Sequence, residues 1–269
     1  MNVDRIAELL APFLSADLSH SEPPKAEEAC PERSQKPAPS LPKAAPTFLS
    51  PIQLESISIY IDILIRWNSR INLTAIRDPE DIVTRHFGES LFAARHLFPG
   101  FSSVSSVSSV LKDFDSADDV RVADLGSGAG FPGLPIKIWS PNISLTLIES
   151  NHKKAAFLSE VVRALTLTNV NIQNTRAESL TESSTAGAFD VVTLRAVEHF
   201  ATILPTAAAL VAASGRLALL IGAPQQDQAL STLPHFKWLR PAPIPKSRSR
   251  ILLLAHRPPP NAGNQDTVA

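Results

Sequence analysis

One cysteine, one methionine and one tyrosine stand in 269 residues. The lone Cys30 cannot form an intramolecular disulfide, which excludes a disulfide-stapled scaffold and points to a reducing compartment. Net charge is as scarce: 25 Lys and Arg against 26 Asp and Glu leave a formal charge of −1. No global basic field advertises nucleic acid, so any RNA contact has to come from local patches. No His/Cys cluster has metal-ligand spacing, and no metal is expected. The N-terminus carries Asp4 and Glu8 and lacks the basic region and apolar run of a signal peptide. The longest apolar stretch, Ile203 to Ala223, is cut by Ser214-Gly215-Arg216 into pieces too short for a bilayer. A cytoplasmic chain with no membrane contact is expected. What is present is a hydrophobic content of 44%, enough for one sizeable core and a small accessory region.

The order of elements follows from periodicity and turn chemistry. Residues 1–14 hold a short amphipathic helix from Val3 to Leu14, with Ile6, Leu9, Leu10 and Phe13 on one face. Residues 15–47 are rich in proline and serine and read as a linker or disordered insertion. A helical region, 48–99, opens at Ser50-Pro51-Ile52-Gln53, an N-cap serine, a first-turn proline and a capping-box glutamine. That helix is expected to reach Trp67 and to be followed by a turn from Asn68 to Ile76. A short helix then starts at Asp78-Pro79-Glu80, with Arg85-His86-Phe87 near its end, and a separate one spans Gly88 to Leu97. Residues 100–119 hold a Ser-Ser-Val repeat and acidic residues, a low-complexity loop.

From 120 to 257 strands and helices alternate. Strands are predicted at Val120–Leu125, Ser144–Glu149, Val170–Gln173, Phe189–Leu194 and Arg216–Ile221. Helices are predicted between them at Leu134–Trp139, Lys153–Leu165 and His199–Ala213. This alternation predicts an α/β fold, a doubly wound and mainly parallel sheet. Lys237–Ile244 and Arg250–Ala255 are strand-like and predict an antiparallel hairpin closing the sheet. The tail, 258–269, is expected to be disordered.

The chain is organised around Val120 to Gly133, VRVADLGSGAGFPG. A short buried strand ends at Asp124, and Gly126, Gly128, Gly130 and Gly133 follow before a helix. Such a loop lets backbone N–H groups approach a ligand at the carboxyl end of a parallel strand. Gly128-Ala-Gly130-Phe-Pro-Gly133 satisfies G-x-G-x-x-G, and Glu149 ends the next strand, as a nicotinamide-dependent oxidoreductase would require. Asp124 argues otherwise. A carboxylate aimed into the loop repels a pyrophosphate and attracts a cationic ligand such as S-adenosylmethionine. The bland alternative makes Asp124 an exposed strand-end carboxylate capping the loop. Glu149 suits ribose hydroxyls in either case.

Asp124-Leu-Gly126-Ser-Gly128-Ala-Gly130 resembles the first motif of class I methyltransferases. With its Phe131-Pro-Gly133 ending it resembles the ribosomal RNA small subunit methyltransferase G family, also called glucose-inhibited division protein B. Trp67-Asn68 with Asn72-Leu73-Thr74, Arg77-Asp78-Pro79, and Arg85-His86 with Glu89-Ser90 resemble that family's N-terminal segments, Glu89 standing in place of aspartate. Arg176-Ala177-Glu178 and Arg195-Ala196 resemble later ones, and the resemblance covers about residues 50 to 256. Leu194 stands where the family has serine, and Ile221-Gly222 where a lysine-glycine pair is expected.

The resemblance implies a Rossmann-like class I fold and methyl transfer from S-adenosylmethionine to N7 of a guanine in 16S rRNA. The substrate would be met on the small ribosomal subunit, by a protein that nothing suggests is other than a monomer. It places Gly126, Phe131, Ala177, Glu178 and Arg195 among the cofactor-contacting positions, beside Asp124, Gly128 and Glu149. Arg195 is alternatively a surface arginine paired with Glu198, and Glu178 a solvated loop carboxylate. N7 carries a lone pair and no proton, so no catalytic base is required, and none is assigned. Cys30, in the expected linker, offers no nucleophile for a cytosine C6 adduct. Leu194-Arg195-Ala196-Val197 stands where amino-group methylases carry N/D-P-P-Y/F. Arg85 and His86 are candidate RNA contacts. Lys237, Arg240, Lys246, Arg248, Arg250 and Arg257 form an acid-free stretch that is either an RNA surface or a solvated face. Leu194 and Ile221 keep open a non-catalytic RNA-binding or ribosome-assembly factor with the same fold.

Overall fold

The computed structural model describes residues 1–15, 49–99, 120–181, 186–196 and 199–259. The expectations for the Ser-Ser-Val repeat, for most of the proline-rich segment and of the tail, and for Glu198 lie outside them.

A sheet runs through the centre in the order β3-β2-β1-β4-β5-β8-β6, with β7 also paired to β8. Strands β1 (Arg121–Leu125), β2 (Ser144–Ile148), β3 (Val170–Gln173), β4 (Phe189–Arg195) and β5 (Val211–Gly222) are parallel. β8 (Arg250–His256) lies antiparallel to β5 and carries β6 (Lys237–Trp238) and β7 (Ala242–Pro243) on its other side. The order reverses at β1, between β2 and β4, so a crevice opens at the carboxyl ends of those strands.

Side chains alternate across the sheet, as the two-residue period of a strand requires. Val122 joins one apolar cluster while Ala123 and Leu125 join another; Ala218 and Leu220 divide from Leu217, Leu219 and Ile221 in the same way. The first cluster is covered by α1 (Val3–Leu14), α2 (Pro51–Asn68), α4 (Glu89–Leu97), α5 (Gly133–Trp139) and α6 (His152–Ala164). The second lies under α8 (Phe200–Leu210) and α9 (Gln226–Thr232), with the short α7 (Glu178–Thr181) beside it. α1 and α2 thus share one core with the sheet.

Local chemistry sets several boundaries. Ser50 Oγ accepts from Gln53 N–H and Gln53 Oε1 from Ser50 N–H, the expected capping box. The same Gln53 side chain donates to Ile138 O and Trp139 O, tying the start of α2 to the end of α5.

Other boundaries differ from expectation. The two helices expected on either side of Gly88 are one continuous run: α3 (Pro79–Asp81), a wide π-type stretch Ile82–Gly88, then α4. Gly88 keeps helical angles, φ −57° and ψ −52°. Its missing side chain serves packing, because an added Cβ would stand 2.6 Å from the Phe13 ring of α1. α8 stops at Leu210 and β5 begins at Val211, pairing with Phe189 before a register shift. The expected strand Lys237–Ile244 shrinks to β6 and β7, since Pro241, Pro243 and Pro245 remove ladder donors. The antiparallel hairpin closes that side of the sheet as expected, β8 lying against β5 and the short β6 forming the last strand of the order.

Candidate functional site

The glycine loop leaves β1 in left-handed geometry, with φ 65° at Gly126, 56° at Gly128 and 84° at Gly130, where a side chain is strained. Its start is pinned to β2: Gly126 and Ser127 N–H donate to Ile148 O at 2.9 and 3.1 Å. Glu149, next along the chain, is buried. Its carboxylate accepts from Gly128 N–H and Asn151 N–H, both at 2.8 Å. The backbone at Gly128 is open to approach, for an added Cβ would meet only Gly126 O at 3.7 Å.

Two expected contacts face inward. Asp124 is fully buried, and its carboxylate points under the loop rather than into it. It accepts from Thr193 Oγ1 at 2.7 Å and Gly133 N–H at 3.2 Å. The reason is the close start of α5, whose Gly133 leaves its carboxylate no room for more than a hydrogen atom. Burial pushes the Asp124 carboxyl up to about 6, against the pull of its donors. The Phe131 ring is likewise buried among aromatic neighbours. Tyr60 stacks with it at 5.4 Å and His86 at 4.7 Å, with Phe87 edge-on at 5.1 Å. Tyr60 O–H also donates to Ala129 O, so the loop sits on an aromatic floor.

Arg195 ends β4 at the same crevice, nearly buried. Its Nη2 donates to Arg85 O at 2.6 Å, His86 Nδ1 at 3.2 Å and Glu89 Oε2 at 3.1 Å. Glu89 Oε2 also faces Arg250 Nε at 2.9 Å, so one buried carboxylate serves two arginines. The Arg195 guanidinium lies 5.8 Å from the Phe131 ring centre. Burial lowers Arg195 to about 10, Glu89 acting against it. Because Nδ1 of His86 accepts from a guanidinium, the ring carries its proton on Nε2, which donates to Thr74 Oγ1 at 2.8 Å. Burial, then Arg195, Arg85 and Arg250, push His86 down to about 3, so the ring is neutral. Its nitrogens and one ring face are engaged inside the protein; Arg85 is exposed.

These contacts account for the N-terminal signature. Asn68 Oδ1 accepts from Leu73 and Thr74 N–H and its Nδ2 donates to Thr74 O, fixing the turn that presents Thr74 to His86. Trp67 Nε1 donates to Glu160 of α6.

Comparison with known proteins decides the family. The profile of rRNA small subunit methyltransferase G (GidB) matches residues 53–236. A ribosomal RNA small subunit methyltransferase G from Xylella fastidiosa (strain 9a5c) is 38% identical over 189 residues, 70% of this chain and 78% of that one. Its counterpart from Halorhodospira halophila is 38% identical over 182 residues, 68% and 75% of the two chains. The chain belongs to the rRNA small subunit methyltransferase G family. It is therefore an S-adenosylmethionine-dependent rRNA methyltransferase with the Rossmann-like class I fold, and the oxidoreductase reading falls away. The family's reaction is methyl transfer to N7 of a guanine in 16S rRNA. Among solved structures, a SAM dependent methyltransferase from Aquifex aeolicus has a TM-score of 0.45 at 15% identity, covering 53% of this chain and 85% of that chain.

The methyltransferase crevice gathers Gly126, Gly128, Glu149 and Arg195 at strand ends. Ala177 is buried in the cluster of Leu125 and Ile148, and Glu178 is exposed at the start of α7. Both departures from the family pattern are core positions: Leu194 is fully buried and Ile221 is 3% exposed. Sequence reasoning missed Thr74 as the partner of His86, and Glu89 as the carboxylate shared by Arg195 and Arg250. Glu89 was open to detection as a carboxylate inside the basic segment Arg85 to Ser90. Among the described residues no helix is long and apolar enough to cross a membrane.

Proposed function

We propose that the chain holds S-adenosylmethionine at the Gly126–Gly128 edge and methylates N7 of one guanine of 16S rRNA on the small ribosomal subunit. It acts as a monomer in the cytoplasm. The observation that carries the site is Gly128, open and left-handed, with the Glu149 carboxylate 2.8 Å from its N–H. That pairing sets a hydroxyl-accepting carboxylate beside a backbone that a ligand can approach. The cofactor supplies an electrophilic methyl group.

The residues here bind and orient. Gly126 and Gly128 admit the ligand, Glu149 receives hydroxyls, Ala177 and Glu178 border it, and Arg195 is fixed at the crevice by His86 and Glu89. Asp124 supports the loop from beneath. No side chain has to take a proton, since N7 has a free lone pair. His86 fits this, being neutral with its nitrogens engaged. Orientation alone contributes about 7–11 kcal/mol to such a transfer. The non-catalytic alternative rested on Leu194 and Ile221, and buried core positions give it little support.

The test is transfer from labelled S-adenosylmethionine to unmodified small subunits, with naked 16S rRNA alongside, followed by cleavage selective for N7-methylguanine. Label at one guanine is expected. Gly126→Arg is expected to abolish cofactor binding with the circular dichroism spectrum near wild type. Bound cofactor without label on either substrate overturns the proposed activity, and unchanged affinity in Gly126→Arg overturns the site.

A further inference from the structure

The acid-free C-terminal stretch is sorted by sheet register. Arg250 pairs with Gly222 at the carboxyl end of β5, whereas Lys237 faces His256 at the other end of β8. β5 runs parallel to β1 and β4, so Arg250 and the turn before it lie on the edge that carries the glycine loop and Arg195. Lys237 lies on the opposite edge.

The turn before Arg250 is tightly built. Ser247 N–H donates to Ile244 O at 3.1 Å, Ile244 N–H to Arg250 O at 3.0 Å, and Arg250 N–H to Ser247 Oγ at 3.1 Å. Ile244 anchors it in the core at 1% exposure, while Lys246 at the tip takes φ 59°. Between this turn and Arg85 lies a cleft of about 480 Å³, lined by Arg85, Lys246, Ser247, Arg248 and Arg250 with Asp81 and Glu89.

The charges in the cleft are unequal. Glu89 is engaged by Arg195 and Arg250. Glu80, close enough to feel Lys246, is held by Arg5 at 2.7 and 2.9 Å. Arg85, Lys246 and Arg248 form no ion pair among the described residues, leaving Asp81 as the acid facing three uncommitted cations. The volume exceeds that of a bare phosphate and suits a phosphate with its sugar. Arg85 also joins the cleft to the crevice, because its carbonyl accepts from Arg195.

We infer that this cleft holds a phosphodiester of the rRNA strand next to the target guanine, with Arg85, Lys246 and Arg248 as its cations. The inference rests on the rRNA methylation reading and gives it a backbone subsite. Phosphate contacts set register, so a strand held here is positioned before its base enters the crevice.

The experiment is equilibrium binding of the full chain to unmodified 16S rRNA over a salt series, with cofactor titration and methyl-transfer kinetics in parallel. The variants are Lys246→Gln with Arg248→Gln, and Lys237→Gln as a charge-matched change on the far edge. The double variant is expected to bind rRNA at least about tenfold more weakly, with a salt slope shallower by about one to two, since each phosphate contact contributes roughly 0.7–0.9. KM rises, kcat and cofactor affinity hold, and Lys237→Gln matches wild type. Unchanged affinity and slope in the double variant, or an equal loss in Lys237→Gln, overturns the subsite. A wild-type chain that binds rRNA through the cleft yet leaves no N7 methyl overturns the methylation reading instead.

Discussion

Asp124 and His86 act on stability in opposite directions as pH changes. Burial raises Asp124 from 3.8 to about 6, so between those values the folded chain keeps a proton that the unfolded chain has lost. Rising pH therefore costs stability across that window. His86 falls from 6.5 to about 3, so there the unfolded chain binds a proton that the folded chain refuses, and falling pH costs stability. Asp124→Asn removes the first effect and leaves the second. Relative to wild type, the variant is expected to fare better at pH 7 than at pH 4.5 by on the order of 1–2 kcal/mol. Urea unfolding at the two pH values checks this, and a difference that stays constant would contradict a buried, ionising Asp124. The bond to Thr193 makes the variant weaker than a pure relief of charge, which is why the pH trend carries the test.

At the scale of elements, α1 and the helical run beneath it are locked by a glycine rather than separated by one. Gly88→Ala drives a methyl into the Phe13 ring, at a cost of about 1–3 kcal/mol for overpacking. Adding Phe13→Leu is expected to recover part of that loss, so a double-mutant cycle measured by denaturant midpoint should show coupling; additive effects would mean the two elements do not meet there. This glycine shows what the sequence makes readable. The span of α1 and the capping box at Ser50 follow from neighbours a few residues apart, and both could be read directly. Gly88 invited a helix break because its reason, a ring from α1, is a tertiary one. The same holds at the site. Glu149 was legible as a strand end, but the inward turn of Asp124 depends on where α5 begins, and the pairing of Arg195 with Glu89 joins residues 106 apart. The packing of the Phe131 ring was hidden for the same reason, its neighbours coming from two distant helical segments.

For the molecule as a whole, the helices before the sheet are part of its single framework. Ile6, Leu10 and Phe13 lie in the cluster that also holds Val122 and Leu134. Full burial of each such side chain contributes about 1.5–3 kcal/mol, so together they approach the net stability of an ordinary domain. Removing residues 1–15 is expected to lower the thermal midpoint sharply or to yield insoluble protein. An unchanged midpoint would show that the sheet stands without α1. The aromatic floor has another use at this scale. Tyr60 is the chain's single tyrosine, and it lies sealed beneath the glycine loop against Phe131. A fluorinated tyrosine incorporated through the chain therefore gives one resonance, and that resonance belongs to the underside of the loop. Its frequency and width report whether filling the upper side moves what lies below, with no residue added to the protein as a probe.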